Sequence, residues 1–384
     1  MSLPAHLLER VPEPLSIRLQ GIERLPGLDV VRAIAILLVM VHHFRHIPGA
    51  PEWLQWFALR GYIGVDLFFV LSGWLIGGQL FREVQRTGTV ELRRFWVKRW
   101  FRTLPAYYVV LAVLVVSRRI SLPELPAMVV FAQNYANPWG WVVTWSLCIE
   151  EHFYLALPLV ALATLRAPMR AVWVIGGLAL LLSPALRWAS FGEMARGSYG
   201  DFVGNFYSPT HLRLDGLVFG VLLAAVRTFR PQTWTRATSR GGVLAVAGTV
   251  LVVASTFTPW ATGSGVDGLD RMRFFAAVPG FFMVSLGVAL MIPWASSAPV
   301  RHRWIALPAV FVAEHAYALY LTHEQVIGAV KRLVVRGLPY AVAPVAVAIG
   351  AVLVAVALRQ LVEKPGLKLR ERMLVSRGRV GTSA

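Results

Sequence analysis

The sequence predicts an all-α polytopic membrane protein of about ten transmembrane helices with both termini in the cytoplasm, and three observations carry that prediction. Of its 384 residues, 57% are hydrophobic and only 15% charged, and the mean hydropathy is +0.60. Apolar runs of roughly 17 to 25 residues, the length that crosses a bilayer core, recur along the chain with short polar joints between them. Lys and Arg are more than twice as frequent in the tails and joints on one side as on the other. Basic residues resist translocation, so that side is the cytoplasm. The same bias, with attraction to anionic lipid, accounts for the formal charge of +18 without invoking nucleic acid.

The first predicted span, 28–46, follows a tail holding Glu9, Glu13 and Glu23 and lacks a small-residue cleavage site at its far end, so it reads as a retained span. The others fall at 63–82, 101–117, 145–165, 171–190, 211–227, 241–258, 274–293, 307–330 and 339–358. Residues 125–135 are apolar but too short to cross and read as re-entrant or interfacial. A membrane domain, 28–365, thus lies between a cytoplasmic tail, 1–27, and a basic cytoplasmic tail, 366–384. Cys148 is the single cysteine, which excludes an intrachain disulfide and a Cys-based metal site, and no metal is expected. The sequence shows no internal repeat, Walker motif or dinucleotide fingerprint.

A charge at mid-bilayer costs about 2.5–3.5 kcal/mol on insertion scales, so ionisable residues within spans are candidate functional groups. In LDVVRAIAILLVMVHHF, residues 28–44, Arg32 and His43 stand on one helix face to within about 20°, at depths about 16 Å apart. Asp29 precedes Arg32 by three residues and is placed to pair with it. His42 points about 100° away and reads as structural. This face can line the two ends of one channel; the alternatives are a His43 hydrogen-bonded between helices and an Arg32 snorkelling toward headgroups.

In GYIGVDLFFVLSGWLIGG, 61–78, Gly64, Ser72, Gly73, Gly77 and Gly78 permit close helix approach. Asp66 either caps the outer start of this span or lines a site. Arg99 and Arg102 stand at i,i+3 on a helix entering the membrane at Leu104 and Pro105, so their guanidinium groups converge at the surface. Two such forks suit a phosphate or pyrophosphate, the alternative being topology alone. In TWSLCIEEHFYLALPL, 144–159, the adjacent carboxylates of Glu150 and Glu151 lie one turn into an apolar helix, with Tyr154 a turn further on. They suit proton work or the gripping of a cation, or else pair with an arginine or a helix N-terminus. HLRLDGLVFG adds Arg213 and Asp215, and AEHAYALYLTHEQ adds Tyr320, His323 and Glu324, all reading as cavity lining.

Together these stretches resemble the integral membrane acyltransferases of acyltransferase family 3. The pieces fall in family order: Arg32 to His43 as R-x10-H, GVDLFFVLSG at 64–73, Arg99 and Arg102 as R-x-x-R, WSLCIEEHFY at 145–154, RLDGLVFG at 213–220, YLTHEQ at 320–325 and VEKP at 362–365. The resemblance covers nearly the whole chain. It implies transfer of an acyl group, often acetyl, from cytoplasmic acyl-CoA to a hydroxyl, usually on a sugar or glycosylated acceptor, by a multi-pass protein of the bacterial inner-membrane type. By position, His43 corresponds to the family's essential histidine with Arg32 in support, and Arg99 and Arg102 to the donor-binding pair. Asp29, Glu150 and Glu151 join the catalytic side; Ser72 and Tyr154 join the donor side; Asp66, Arg213, Asp215, His323 and Glu324 are assigned to the acceptor.

Cys148 and His152 stand where the family pattern WSLSVEEQFY has Ser and Gln, and Thr322 and Glu324 alter YLWHWP; all four are expected to tune the acceptor pocket. Because the sequence stops soon after VEKP, it reads as the stand-alone form, without the esterase-like domain fused to some relatives. Two rival readings use the same residues. A proton-coupled secondary transporter would favour matched inverted halves, and none is visible. An acyl-carrying module would serve a partner transferase.

Overall fold

The structure is a computed structural model in which residues 25–136, 140–194, 202–257, 276–300 and 302–375 are described, and all regular structure among them is helical. In chain order the α-helices are α1 (Pro26–Phe44), α2 (Glu52–Ala58), α3 (Ile63–Thr87), α4 (Leu92–Val116), α5 (Leu125–Val129), α6 (Gln133–Ala136), α7 (Trp145–Thr164), α8 (Met169–Met194), α9 (Asp215–Phe229), α10 (Pro231–Ser239), α11 (Gly241–Phe257), α12 (Phe281–Ser297), α13 (Arg303–Val335), α14 (Ala343–Leu358) and α15 (Lys364–Val375). Most of the predicted N-terminal tail, 1–24, and the last part of the C-terminal one, 376–384, lie outside the described residues. The start of the C-terminal one is helix α15, packed along α4, with Gly366 against Pro105.

Eight helical stretches among the described residues are long and apolar enough to cross a bilayer, or nine if α10 and α11, bent by 75° at their junction, form one span. The chain is a multi-pass membrane protein. About ten spans were expected, and two of them depart from a single straight helix: 241–258, which belongs to the bent pair, and 211–227. There the backbone makes a single 3-10 turn, Thr210–Leu212, and breaks at Arg213 before α9 begins. The 15 residues of α9 rise about 22 Å against a bilayer core of about 30 Å. The break has a cause: at φ −135° and ψ 19°, Arg213 leaves helical geometry and turns its side chain inward.

What it meets there is Asp66. The two form a fully buried ion pair between the start of α3 and the entry to α9, with an N–O distance of 2.8 Å. Asp66 makes no capping bond, so the cap reading is replaced by this pairing. The Arg213 guanidinium lies 3.6 Å from the Phe281 ring centre and 4.7 Å from that of Tyr207, so aromatic faces supply much of its environment. A second buried pair, Arg187 on α8 with Asp215 on α9, has the same 2.8 Å separation. Arg187 also donates to the Leu212 carbonyl, which secures the broken stretch.

Glycine lets α3 and α9 come this close. A Cβ on Gly73 would overlap the Leu217 carbonyl oxygen, and one on Gly220 would overlap that of Val70. Among the described helices this pair packs most extensively. The motifs GVDLFFVLSG and RLDGLVFG are therefore the two halves of a single interface. α1 lies against α3 and α13, and α14 also packs on α13, with Phe44, Ile327, Val330 and Val347 in one apolar cluster. The apolar stretch 125–135 tucks back onto α4: Tyr107 stacks on Phe131 and Trp141, and its hydroxyl donates to the Met128 carbonyl at 2.9 Å.

Replacing Asp66 by Ala leaves Arg213 buried without its counter-ion, which is expected to cost about 3–5 kcal/mol. The measurement is thermal unfolding in detergent. The double replacement Asp66→Leu with Arg213→Met should recover most of the loss, because a buried pair exchanged for apolar groups of similar volume is close to neutral.

Candidate active site

The helix face predicted for α1 is present. Arg32 and Asp29 form an i,i+3 ion pair at 3.9 Å, the long end of the range, and Arg32 also lies within the electrostatic reach of Arg99, Arg102 and Glu150. Three arginines from α1 and α4 thus gather at one end of the bundle, offset by Asp29 and Glu150. They do not all converge at the surface as expected. Arg102 is exposed, but Arg99 is buried, standing over the Tyr154 ring at 5.5 Å and donating to the Gln79 side chain at 3.1 Å. An aromatic face one helix away holds its guanidinium inside.

Glu150 and Glu151 point in different directions. Glu150 accepts from the Ser72 hydroxyl at 2.7 Å and from the Tyr154 hydroxyl at 3.0 Å, while Glu151 accepts from Thr103 at 2.9 Å. Neither forms an ion pair within 4.0 Å among the described residues; hydroxyls on α3, α4 and α7 take the place of the arginine or helix end expected as the alternative. Pro158 contributes locally: lacking an N–H, it frees the Tyr154 carbonyl four residues back, which accepts instead from Trp96 Nε1 at 3.1 Å. That bond ties α7 to α4 beside Arg99.

At the far end of α1, the two neighbouring histidines part. The Nδ1 of His42 pairs with the Ala58 carbonyl at 3.0 Å, at the end of α2. His43 turns toward α13. Its Nδ1 lies 2.9 Å from the Val39 carbonyl and 3.2 Å from Nε2 of His323, the two rings being 4.9 Å apart between centres. His43 is half-buried and His323 fully buried behind it. Two polar groupings therefore stand along α1: Arg99, Arg102 and Arg32 with Glu150, Ser72 and Tyr154 toward one end, and His43 with His323 toward the other.

The residues assigned to the acceptor are less uniform. Asp66, Arg213 and Asp215 are at most 1% exposed and occupied with the ion pairs of the fold. Glu324 is half-buried beside Arg119 and Tyr320, one residue from His323. Of the departures from the family pattern, Cys148 and Thr322 are buried and bonded to carbonyls of the preceding turn, and His152 meets the Thr210 hydroxyl at 2.7 Å.

Comparison with known proteins adds a decisive match: residues 25–360 fit the family described as "Acyltransferase domain". The chain belongs to this acyltransferase family. Among similar proteins, one from Staphylococcus aureus strain COL, provisionally named an O-acetyltransferase, is 27% identical over 351 residues, covering 82% of this chain and 52% of its own length. O-acetyltransferase OatA of S. aureus strain NCTC 8325 is 26% identical over 340 residues with the same coverage. The chain spans about half the length of these relatives. No solved structure matches it.

Within this acyltransferase domain, sequence reasoning passed over Arg187, Thr103 and Gln79. Arg187 was visible as an arginine inside the predicted span 171–190. Thr103 and Gln79 carry no signal of their own, because an isolated hydroxyl or amide gains meaning only from the carboxylate or guanidinium opposite it. The His42→Ala variant should lose only about 1 kcal/mol of stability, the worth of its one bond to Ala58, as measured by thermal unfolding in detergent.

Proposed function

We propose that this chain is an O-acyltransferase that moves an acyl group, acetyl first among them, from acyl-CoA to a hydroxyl of a sugar-containing acceptor at the bacterial cell membrane. The observation that supports this most is that α1 carries a three-arginine cluster toward one end, through Arg32, and His43 with His323 toward the other. Phosphates of coenzyme A suit Arg99 and Arg102, whose planar forks bind such oxygens well, with Arg32 adding charge. Asp29 steadies Arg32, and Glu150, held by Ser72 and Tyr154, balances the cluster. The acyl-bearing thiol arm then follows the face of α1 across the roughly 16 Å that separates Arg32 from His43 in depth. The names of the S. aureus relatives, which specify O-acetyl transfer, agree with acetyl as the group moved and a hydroxyl oxygen as its destination.

In the reaction, Nε2 of His43 takes the proton of the acceptor hydroxyl as its oxygen attacks the thioester carbonyl carbon. The tetrahedral adduct collapses, the carbon–sulfur bond breaks, and the thiolate recovers the proton from the His43 imidazolium. The products are the ester and free coenzyme A. A thiol with an ordinary pKa near 8.5 is a good leaving group, so direct transfer suffices. With both termini in the cytoplasm, the arginines face the compartment that makes acyl-CoA, and the His43 end approaches the opposite face and an envelope sugar. Glu324, beside His323, is the acceptor-side carboxylate.

The test is transfer from radiolabelled acetyl-CoA to envelope glycans in membranes carrying each variant. His43→Ala should lower the rate by about 10²- to 10⁴-fold, the usual contribution of a general base, with His42→Ala near wild type. Arg99→Gln should raise the KM for acetyl-CoA by about tenfold with little change in kcat, as for loss of one charged hydrogen bond. Undiminished transfer by His43→Ala would sink the assignment.

A further inference from the structure

We infer that His323 is a positioning residue for the transfer reaction, acting through His43 as the uncharged equivalent of the carboxylate that orients a catalytic histidine. The inference rests on the reading of His43 as the base. It follows from where protons must sit. Nδ1 of His323 lies 2.9 Å from the Tyr320 carbonyl and 3.1 Å from that of Leu319. Carbonyl oxygens only accept, so Nδ1 carries the hydrogen and Nε2 keeps its lone pair. That lone pair faces Nδ1 of His43 at 3.2 Å. Two lone pairs do not face one another at this distance, so the hydrogen there belongs to His43. The Val39 carbonyl, 2.9 Å from the same nitrogen, makes the same demand.

His43 is therefore the Nδ1–H tautomer, with the basic lone pair on Nε2. The carbonyl of Val39 sits one turn back on α1 itself; His323 holds the ring from a second helix, α13. When Nε2 accepts the substrate proton, the positive imidazolium donates Nδ1–H to two acceptors that are already in place. In a Ser-His-Asp triad a carboxylate does this. A neutral imidazole does it without a desolvated negative charge inside the bundle. His323 can exchange tautomer only by giving up both its carbonyl partners, so it remains an acceptor throughout. The neighbouring rings leave this arrangement alone: His42 meets His43 edge-on at 5.2 Å with its own Nδ1 committed to Ala58, and His46 is 6.4 Å away.

The experiment combines kinetics with nitrogen-15 NMR of the full chain in detergent, histidine-labelled, with the His43 signals assigned by their loss in His43→Ala. In the wild type His43 is expected as the neutral Nδ1–H form. His323→Ala should mix the tautomers and lower kcat about 10- to 100-fold, while the KM for acetyl-CoA stays within about twofold. His323→Gln, whose side-chain oxygen can accept the same hydrogen, should restore the Nδ1–H signature and most of kcat. An Nε2–H signature in the wild type, or His323→Ala turning over at the wild-type rate, would overturn the proposal. Should His323→Ala not fold, the wild-type tautomer and the Gln variant still decide it. The tautomer is read without turnover, so a failure of the base reading shows separately, as transfer surviving in His43→Ala.

Discussion

The pairing of Arg213 with Asp66, withdrawn from solvent and backed by Arg187 with Asp215, is the constraint on which the rest of the arrangement turns. A charge left alone in such surroundings is costly enough to unfold a helix bundle, so each of these residues dictates where its partner's helix must lie. Asp66 fixes the start of α3 against the entry to α9. Six residues along α3, Ser72 then faces Glu150 on α7, and Glu150 in turn lies within reach of the arginines of α1 and α4. A structural ion pair thereby helps to set the register of the arginine end.

Much of this was legible in the sequence, for reasons that differ by residue. The R-x10-H spacing already placed Arg32 and His43 on one face, because helix periodicity survives any packing. The separation of His42 from His43 followed from the same 100° step, and the bond to Ala58 gives His42 its own place. The i,i+4 relation of Glu150 and Tyr154 likewise became a hydrogen bond. These are properties of single helices. Less legible was anything decided between helices: that Arg99 is inside, that Asp66 is an ion-pair partner rather than a cap, and that His323 meets His43. The departure at 211–227 has the same origin. Hydropathy registers that 211–227 is apolar, but only Asp66, nearly 150 positions earlier, explains why the chain breaks at Arg213.

The two polar groupings along α1 differ in kind. At the arginine end, positive charge is plentiful and its balance comes from carboxylates that hydroxyls hold in place, a setting suited to gripping an anion. At the histidine end, the facing groups are imidazoles tied to backbone carbonyls, a setting suited to passing a single proton. Glu151 is bound to Thr103, whose carbonyl accepts from Tyr317 of α13. It is best understood as part of the brace that keeps α4, α7 and α13 together around the site.

The glycine contact between α3 and α9 has a mechanical consequence. With backbone against backbone at Gly73 and Gly220, neither helix can slide or roll without one carbonyl running into the other, so the pair moves as one beam. A carrier that exposes its centre to each side in turn needs two halves that rock past each other. A beam of this kind favours the opposite solution: a centre that stays still while the reactants come to it.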